Sequence, residues 1–286
     1  MKTGFDCLPC FLLQSLDTAR MLGCDEFSTE KLVRDVLEAS SRMDLAAPPP
    51  VMGQYIHRRI REVSGNSDPY KEIKDRFNRM ALNVYPDLAE RARGAKDPLE
   101  ASVRLAITGN LIDFGTASGV SEEEVLQAVD EALAAPLKGQ VRELEEAISR
   151  AGYILYIFDN CGEIVLDRIL LERLPLERVV GAVKPSPIIN DATMREAKDC
   201  GITEMIPVLD TGSDAPGAVL RDCSQEFLEH YHRADLVLAK GQGNFEALSQ
   251  EDKEIFFLLK AKCSVVASHL GCPQGSMVLR CSAHVS

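Results

Sequence analysis

Asp159 and Asn160 follow directly on the apolar run YILYIF (153–158). A carboxylate and an amide both offer hard oxygen, the donor type suited to Mg²⁺, Mn²⁺ and similar ions. Gly162 lets the backbone turn tightly, and EIVLDRILLERL then begins a helix whose first N–H groups can take an anion. The same dipeptide also fits a strand-end turn that merely caps a helix. VKPSPIINDATMREAK repeats the arrangement, with a strand, a proline-stiffened loop, and Asn190-Asp191 ahead of a helix. Here too Asp191 or Thr193 would serve as an ordinary N-cap. Two such strand ends in neighbouring βα units would bring hard oxygens into one cleft.

Two further loops could face an anion. LDTGSDAPG (209–217) is rich in glycine and small polar residues, so its N–H groups and Ser213 could line a phosphate site. AKGQGNFEAL places Lys240, Gly241 and Gly243 after ADLVL. It matches a dinucleotide fingerprint only in part, because Glu246 stands where the third glycine is needed for close helix packing. A cation with exposed N–H groups fits this loop better.

Two familiar phosphate chemistries fit poorly. A phosphoaspartate enzyme needs a second Asp two residues after its nucleophile, and Cys161 stands there. Cys161 as a nucleophile lacks an arginine-bearing phosphate loop. Attack by metal-activated water fits the residues best. Cys7-x-x-Cys10 is a lone CxxC, for which Cys24 and Cys263 are the further thiols to hand. A structural metal, a redox pair and simple packing all stay open for it. The five histidines show no HExxH pattern.

The elements that must carry these residues fall into two halves. Residues 1–148 read as an all-helical N-terminal domain, broken by the PPP run at 48–50, stopped at Gly65, and helical again up to Pro86. SEEEVLQAVDEAL opens with a serine cap and an acidic first turn. Residues 149–286 change period. YILYIFDN, VVGAVK, MIPVLD, ADLVLAK and IFFLLKAKCSVVA are compact apolar runs, mostly separated by helical segments. That alternation predicts an α/β domain with a mainly parallel sheet covered on both faces. Ligands of such sheets bind beyond the carboxyl ends of the strands, where Asp159, Asn160, Asp191, Asp210, Lys240 and Gly241 all fall.

Composition narrows the partners. The chain has 286 residues, 45% of them hydrophobic, no Trp and a formal net charge of -12. An acidic surface repels a phosphate backbone, which argues against nucleic acid. It leaves room for a small phosphorylated metabolite, because a metal and a few local cations can reverse the field inside one cleft. No apolar run reaches the roughly 18 to 20 residues of a membrane span. Nine scattered cysteines, an odd number, read as reduced thiols of a cytoplasmic protein. Nothing sets the oligomeric state.

The motifs CLPCFLLQ, DPYKEIK, GNLIDFG, FDNCGEIVLD, NDAT, DTGSDAPG and KGQGNFEAL occur in order over nearly the whole chain. The set resembles the DUF89 family, also called ARMT1-like or damage-control phosphatases. The N-terminal CxxC resembles the family's subfamily I. The resemblance implies a Rossmann-like α/β domain behind a helical N-terminal part, and hydrolysis of phosphometabolites with a divalent metal such as Mg²⁺, Mn²⁺, Co²⁺ or Ni²⁺. It implies metal ligands at Asp159, Asn160 and Asp191. The family's lysine-glycine motif falls on Lys240, Gly241, Gly243 and Asn244. GNLIDFG (109–115) is among the matching motifs. Its Asn110 and Asp113 either end a helix in a polar turn or close over the cleft toward substrate. The leading expectation is a metal-dependent phosphatase for small, sugar-phosphate-like molecules, with Asp159, Asp191 and Lys240 catalytic and Asn190 and Ser213 beside the phosphate. The alternative is a non-catalytic metabolite-binding protein on the same scaffold. A methyltransferase is disfavoured, since no glycine-rich loop follows the first apparent strand.

Overall fold

The computed structural model describes residues 1–109 and 122–284, so Asn110 and Asp113 lie outside the described residues. Among the described residues six helices come first: α1 (Cys7–Met21), α2 (Glu26–Arg42), α3 (Pro50–Ser64), α4 (Lys71–Gly94), α5 (Pro98–Thr108) and α6 (Glu122–Ala134). The remaining elements are β1 (Leu137–Lys138), α7 (Val141–Arg150), β2 (Ile154–Ile157), α8 (Glu163–Leu171), β3 (Val179–Val183), α9 (Met194–Asp199), β4 (Val208–Asp210), α10 (Gln225–Arg233), β5 (Leu236–Lys240), α11 (Gly241–Leu248), β6 (Ile255–Lys260), α12 (Ser264–Leu270) and β7 (Met277–Cys281).

Among the described residues seven strands form one sheet in the order β1-β7-β6-β5-β2-β3-β4. Every neighbouring pair is parallel except β6 with β7. Strands buried on both faces need no polar alternation, which is why ILYI, LVLAK and IFFLLK read as unbroken apolar runs. The strand order reverses between β2 and β5, whose residues Ile154 and Leu236 are in register. A crevice opens beyond the strand ends at such a reversal.

The helical half does not stand apart from this sheet. Val103, Ala106 and Ile107 of α5 share a buried cluster with Ile154, Tyr156 and Leu238 of the strands. β1 lies within the stretch read as all-helical and pairs with β7 at the sheet edge. The expected boundary at residue 148 falls inside α7. Two residues of strand are too few to leave a period in sequence.

One helix also runs further than its sequence suggested. α4 passes through Pro86 to Gly94. Proline inside a helix costs ~3 kcal/mol. Phe77, Ala81, Val84, Leu88, Ala89 and Ala92 bury one continuous face across it. Burying several such side chains, at about 1.5–3 kcal/mol for each large one, outweighs that cost.

Candidate active site

Asp159 and Asp191 meet because their segments zip together beyond the sheet. Ala192 N donates to Asp159 O at 2.8 Å, and Cys161 N donates to Asn190 O at 2.8 Å. An isolated antiparallel bridge pairs Asn160 with Asp191. Lys184, the residue after β3, pairs with Thr193 in an isolated parallel bridge. Thr193 caps α9 through a capping box with Glu196, so the helix start holds the far side of the loop. Ile189 carries a φ of 44°. A β-branched residue rarely adopts that conformation, and the cost is of order 1–3 kcal/mol. The strain sits two residues before Asp191.

Asp159, Asn160 and Asp191 are all buried. Burial, and then the neighbouring charges of Glu163 and Asp191, hold the Asp159 carboxyl well above the usual carboxylate range. Burial likewise pushes Asp191 up to about 7, although Lys184, Lys74 and Lys262 act the other way. Asp191 Oδ2 has no hydrogen-bond partner among the described residues, and neither does Lys184 Nζ, 3.9 Å from it. Burial lowers the Lys184 ammonium below its ordinary value.

This is a fit for a divalent cation. Two carboxylates and an amide supply hard oxygens, one carboxylate oxygen is buried and unsatisfied, and the local carboxyls repel one another. Among the described residues no three His, Cys, Asp or Glu side chains converge on one point. The candidate set needs the Asn160 amide as its third side-chain donor.

The remaining expected residues are placed less directly. Lys240 is fully buried. Its ammonium donates to Glu163, to Asp167 Oδ1 at 2.8 Å and to Ala106 O at 2.8 Å. Its three protons are thus directed at protein acceptors, where a phosphate contact was expected. Ser213 is also committed, donating from Oγ to Asp222 Oδ2 at 2.6 Å and accepting from Ala215 N at 3.2 Å. Asn244 donates to Lys240 O at 2.7 Å and accepts from Ala218 N at 2.9 Å. Gly243 backs onto the Pro216 carbonyl so closely that a Cβ would overlap it. These residues build the wall around the crevice by fixing the 209–217 loop to α11. Cys161 is buried and its thiol is pushed far up by desolvation, so it stays protonated and is a poor nucleophile.

Five contributors went unseen in the sequence. Glu163 and Asp167 are carboxylates four apart in a helix that is otherwise apolar but for Arg168, a spacing that places both on one face, here the buried one. Lys184 directly follows β3 and Lys240 ends β5, and a lysine closing a buried strand was the available signal. Asn78 of α4 accepts from Gly162 N at 2.6 Å through Oδ1 and so fastens the turn after Asp159. Lys262 lowers both Asp159 and Asp191 by its charge. Neither residue carries a local sequence signal, because each reaches the site only through the tertiary fold.

A doubly wound α/β protein with a cluster of buried carboxylates at its topological switch point is the class defined by this fold and site. Comparison with known proteins narrows it. The model of the damage-control phosphatase ARMT1-like domain matches residues 3–278, and the chain belongs to this family. It is 37% identical over 284 residues to a damage-control phosphatase of Pyrococcus horikoshii, with 97% of each chain covered. A damage-control phosphatase of Archaeoglobus fulgidus is 32% identical over 286 residues, covering 98% of this chain and 99% of the relative. The crystal structure of a DUF89 family protein from Pyrococcus horikoshii matches the fold with a TM-score of 0.90 at 36% identity over 99% of both chains. Phosphatase activity is what this membership supports.

Proposed function

We propose that the protein is a divalent-metal-dependent phosphatase acting on small, sugar-phosphate-like metabolites. The observation that carries the reading is the unsatisfied pair of Asp191 Oδ2 and Lys184 Nζ beside Asp159 and Asn160 at the switch point. Asp159, Asn160 and Asp191 would hold the ion. Bound there, it would supply Lewis acidity to the phosphoryl group.

The chain's own residues do the rest. Lys184, 3.9 Å from Asp191 Oδ2 and without a hydrogen bond among the described residues, offers the phosphoryl oxygens a buried cation, and the charge of Lys262, after the end of β6, acts on Asp159 and Asp191. Burial raises the value of the Lys184 charge, since a low dielectric strengthens each contact. Arg61 ties α3 to two loops, donating to Pro187 O at 3.0 Å after β3 and to Asp214 Oδ2 at 2.6 Å after β4. That clasp holds the loop leading to Asp191. Among the described residues no helix is long and apolar enough to cross a membrane, and the scattered, odd-numbered cysteines support a reducing, cytoplasmic setting.

Phosphate release from p-nitrophenyl phosphate and from a panel of sugar phosphates tests the reading. Chelator-treated protein is assayed alone and with Mg²⁺, Mn²⁺, Co²⁺ or Ni²⁺. Metal-stimulated release that Asp191→Ala abolishes is the expected result. Metal-dependent ligand binding with no phosphate released would instead establish the non-catalytic alternative.

A further inference from the structure

Asn160 can serve a cation only through its carbonyl oxygen, so something must decide which end of the amide faces the cleft. We infer that Glu163, anchored by Lys240, is the residue that sets this orientation and so tunes metal affinity. The inference rests on the metal-dependent reading above.

The geometry is specific. Asn160 Nδ2 lies 2.8 Å from Asp159 Oδ2 and 3.3 Å from Glu163 Oε2. An amide nitrogen carries two protons, and here two carboxylate oxygens accept them. Turning the amide over would set its carbonyl oxygen against both carboxylate oxygens, which repel it. The acceptor end is therefore the one left for a ligand.

Glu163 can do this only if its own charge is held. It is fully buried, as are Lys240 and Asp167. A buried carboxylate is costly unless paired. Lys240 donates to the other Glu163 oxygen, to Asp167 Oδ1 and to the Ala106 carbonyl. Tyr156 OH donates to the same Asp167 oxygen at 2.8 Å. The chain Tyr156, Asp167, Lys240, Glu163, Asn160 thus runs from inside the sheet to the cleft, and every link is a hydrogen bond or ion pair. Gly109 presses against the start of α8, where a Cβ would come within 2.7 Å of Glu163 Cα. The backbone of Glu163 is therefore held as firmly as its side chain. Lys240 reaches the chemistry through Glu163, which makes both of them positioning residues.

Titration calorimetry with Mn²⁺ alone, on chelator-treated wild type, Glu163→Gln, Asn160→Asp and the double variant, tests this. Melting curves of the metal-free proteins run alongside. Glu163→Gln leaves one acceptor oxygen and should weaken Mn²⁺ binding by about 10–100-fold, the scale for losing a partner behind a metal ligand. In the Asn160→Asp background a carboxylate presents oxygen either way round. There Glu163→Gln should leave affinity within about threefold or raise it, because a neighbouring negative charge is gone. An equal loss in both backgrounds would reveal a merely structural role and overturn the inference. So would unchanged affinity of Glu163→Gln. If that variant does not fold, Glu163→Met/Lys240→Met removes both charges together, and wild-type Mn²⁺ affinity in it overturns the inference. Wild-type protein that binds no divalent ion overturns the metal-dependent reading and this inference with it.

Discussion

Gly241 stands where it does because the Asp159 carboxylate fills the space its Cβ would occupy. The end of β5 and the end of β2 lie side by side, and the first residue of α11 turns with a φ of 78°. Both the close approach and the positive φ call for glycine. Gly241→Ala must therefore displace Asp159 as well as strain the backbone. Turnover should fall about 100-fold or more, and stability by about 1–3 kcal/mol. Denaturant titration and phosphate release measure the two effects. A variant with normal turnover would show that Asp159 can shift without consequence.

Lys184 and Lys240 close neighbouring parts of one sheet, yet they should respond oppositely to substitution. Lys240→Met leaves Glu163 and Asp167 buried without their cation, which costs about 3–5 kcal/mol. Lys184→Met removes an ammonium that makes no hydrogen bond and lies 3.9 Å from Asp191, a looser pair than those of Lys240, so its stability loss should be clearly the smaller of the two. Its KM for a phosphorylated substrate should rise at least about tenfold, the loss of one charge-assisted contact. Melting curves and steady-state kinetics on both variants decide the contrast. Equal stability losses would refute it.

Metal should stabilise the fold, and only through the carboxylate cleft. Saturating Mn²⁺ at about 100 times its dissociation constant would add about 2.7 kcal/mol. Asp159→Ala and Asp191→Ala should lose this increment and all hydrolysis while melting normally without metal. Because Asp191 Oδ2 is buried and unbonded, Asp191→Asn should be at least as stable as wild type in chelator. A metal-induced rise in Tm that survives both alanine variants would place the ion elsewhere.

His57 provides a pH test at a distance from the cleft. Burial, helped by the charge of Arg61, lowers its pKa from an ordinary 6.5 to about 3. The unfolded chain takes up a proton as pH falls below about 6.5, while the folded chain resists until about 3. The stability is full above that window and is lost as pH falls through it. At 1.36 kcal/mol per unit, moving from pH 7.5 to pH 5 should cost roughly 2 kcal/mol through this one ring. Denaturation midpoints of His57→Leu should be flatter across that range. The same slope in the variant as in wild type would rule out the histidine as its source.

The CxxC thiols should be dispensable for the chemistry. Cys7 begins α1 and Cys10 is exposed one turn on. Burial raises both thiols above their ordinary value, which makes them poor nucleophiles at neutral pH. Cys7→Ser/Cys10→Ser should keep most of its turnover when assayed cold and lose at most some thermal stability. A folded double variant without turnover would put these thiols in the active site.

The apolar runs alone were enough to foretell the parallel sheet, because strands buried on both faces cannot hide their hydrophobicity. They also put Asp159, Asn160 and Asp191 in the loops that follow β2 and β3, where ligands of such sheets are expected for topological reasons that any βα repeat carries. Local sequence does not encode which strand lies beside which. Only the tertiary structure set β2 against β5, brought Gly241 under Asp159, and lodged Lys240 beneath the cleft with its protons on Glu163, Asp167 and Ala106. The same holds for Asn78 and Arg61, which come to the site from helices that looked like a separate domain. A lysine after a strand reads the same whether it faces a ligand or a buried carboxylate. That choice depends on residues more than 70 positions away, such as Glu163 and Asp167 around Lys240, and long-range packing alone makes it.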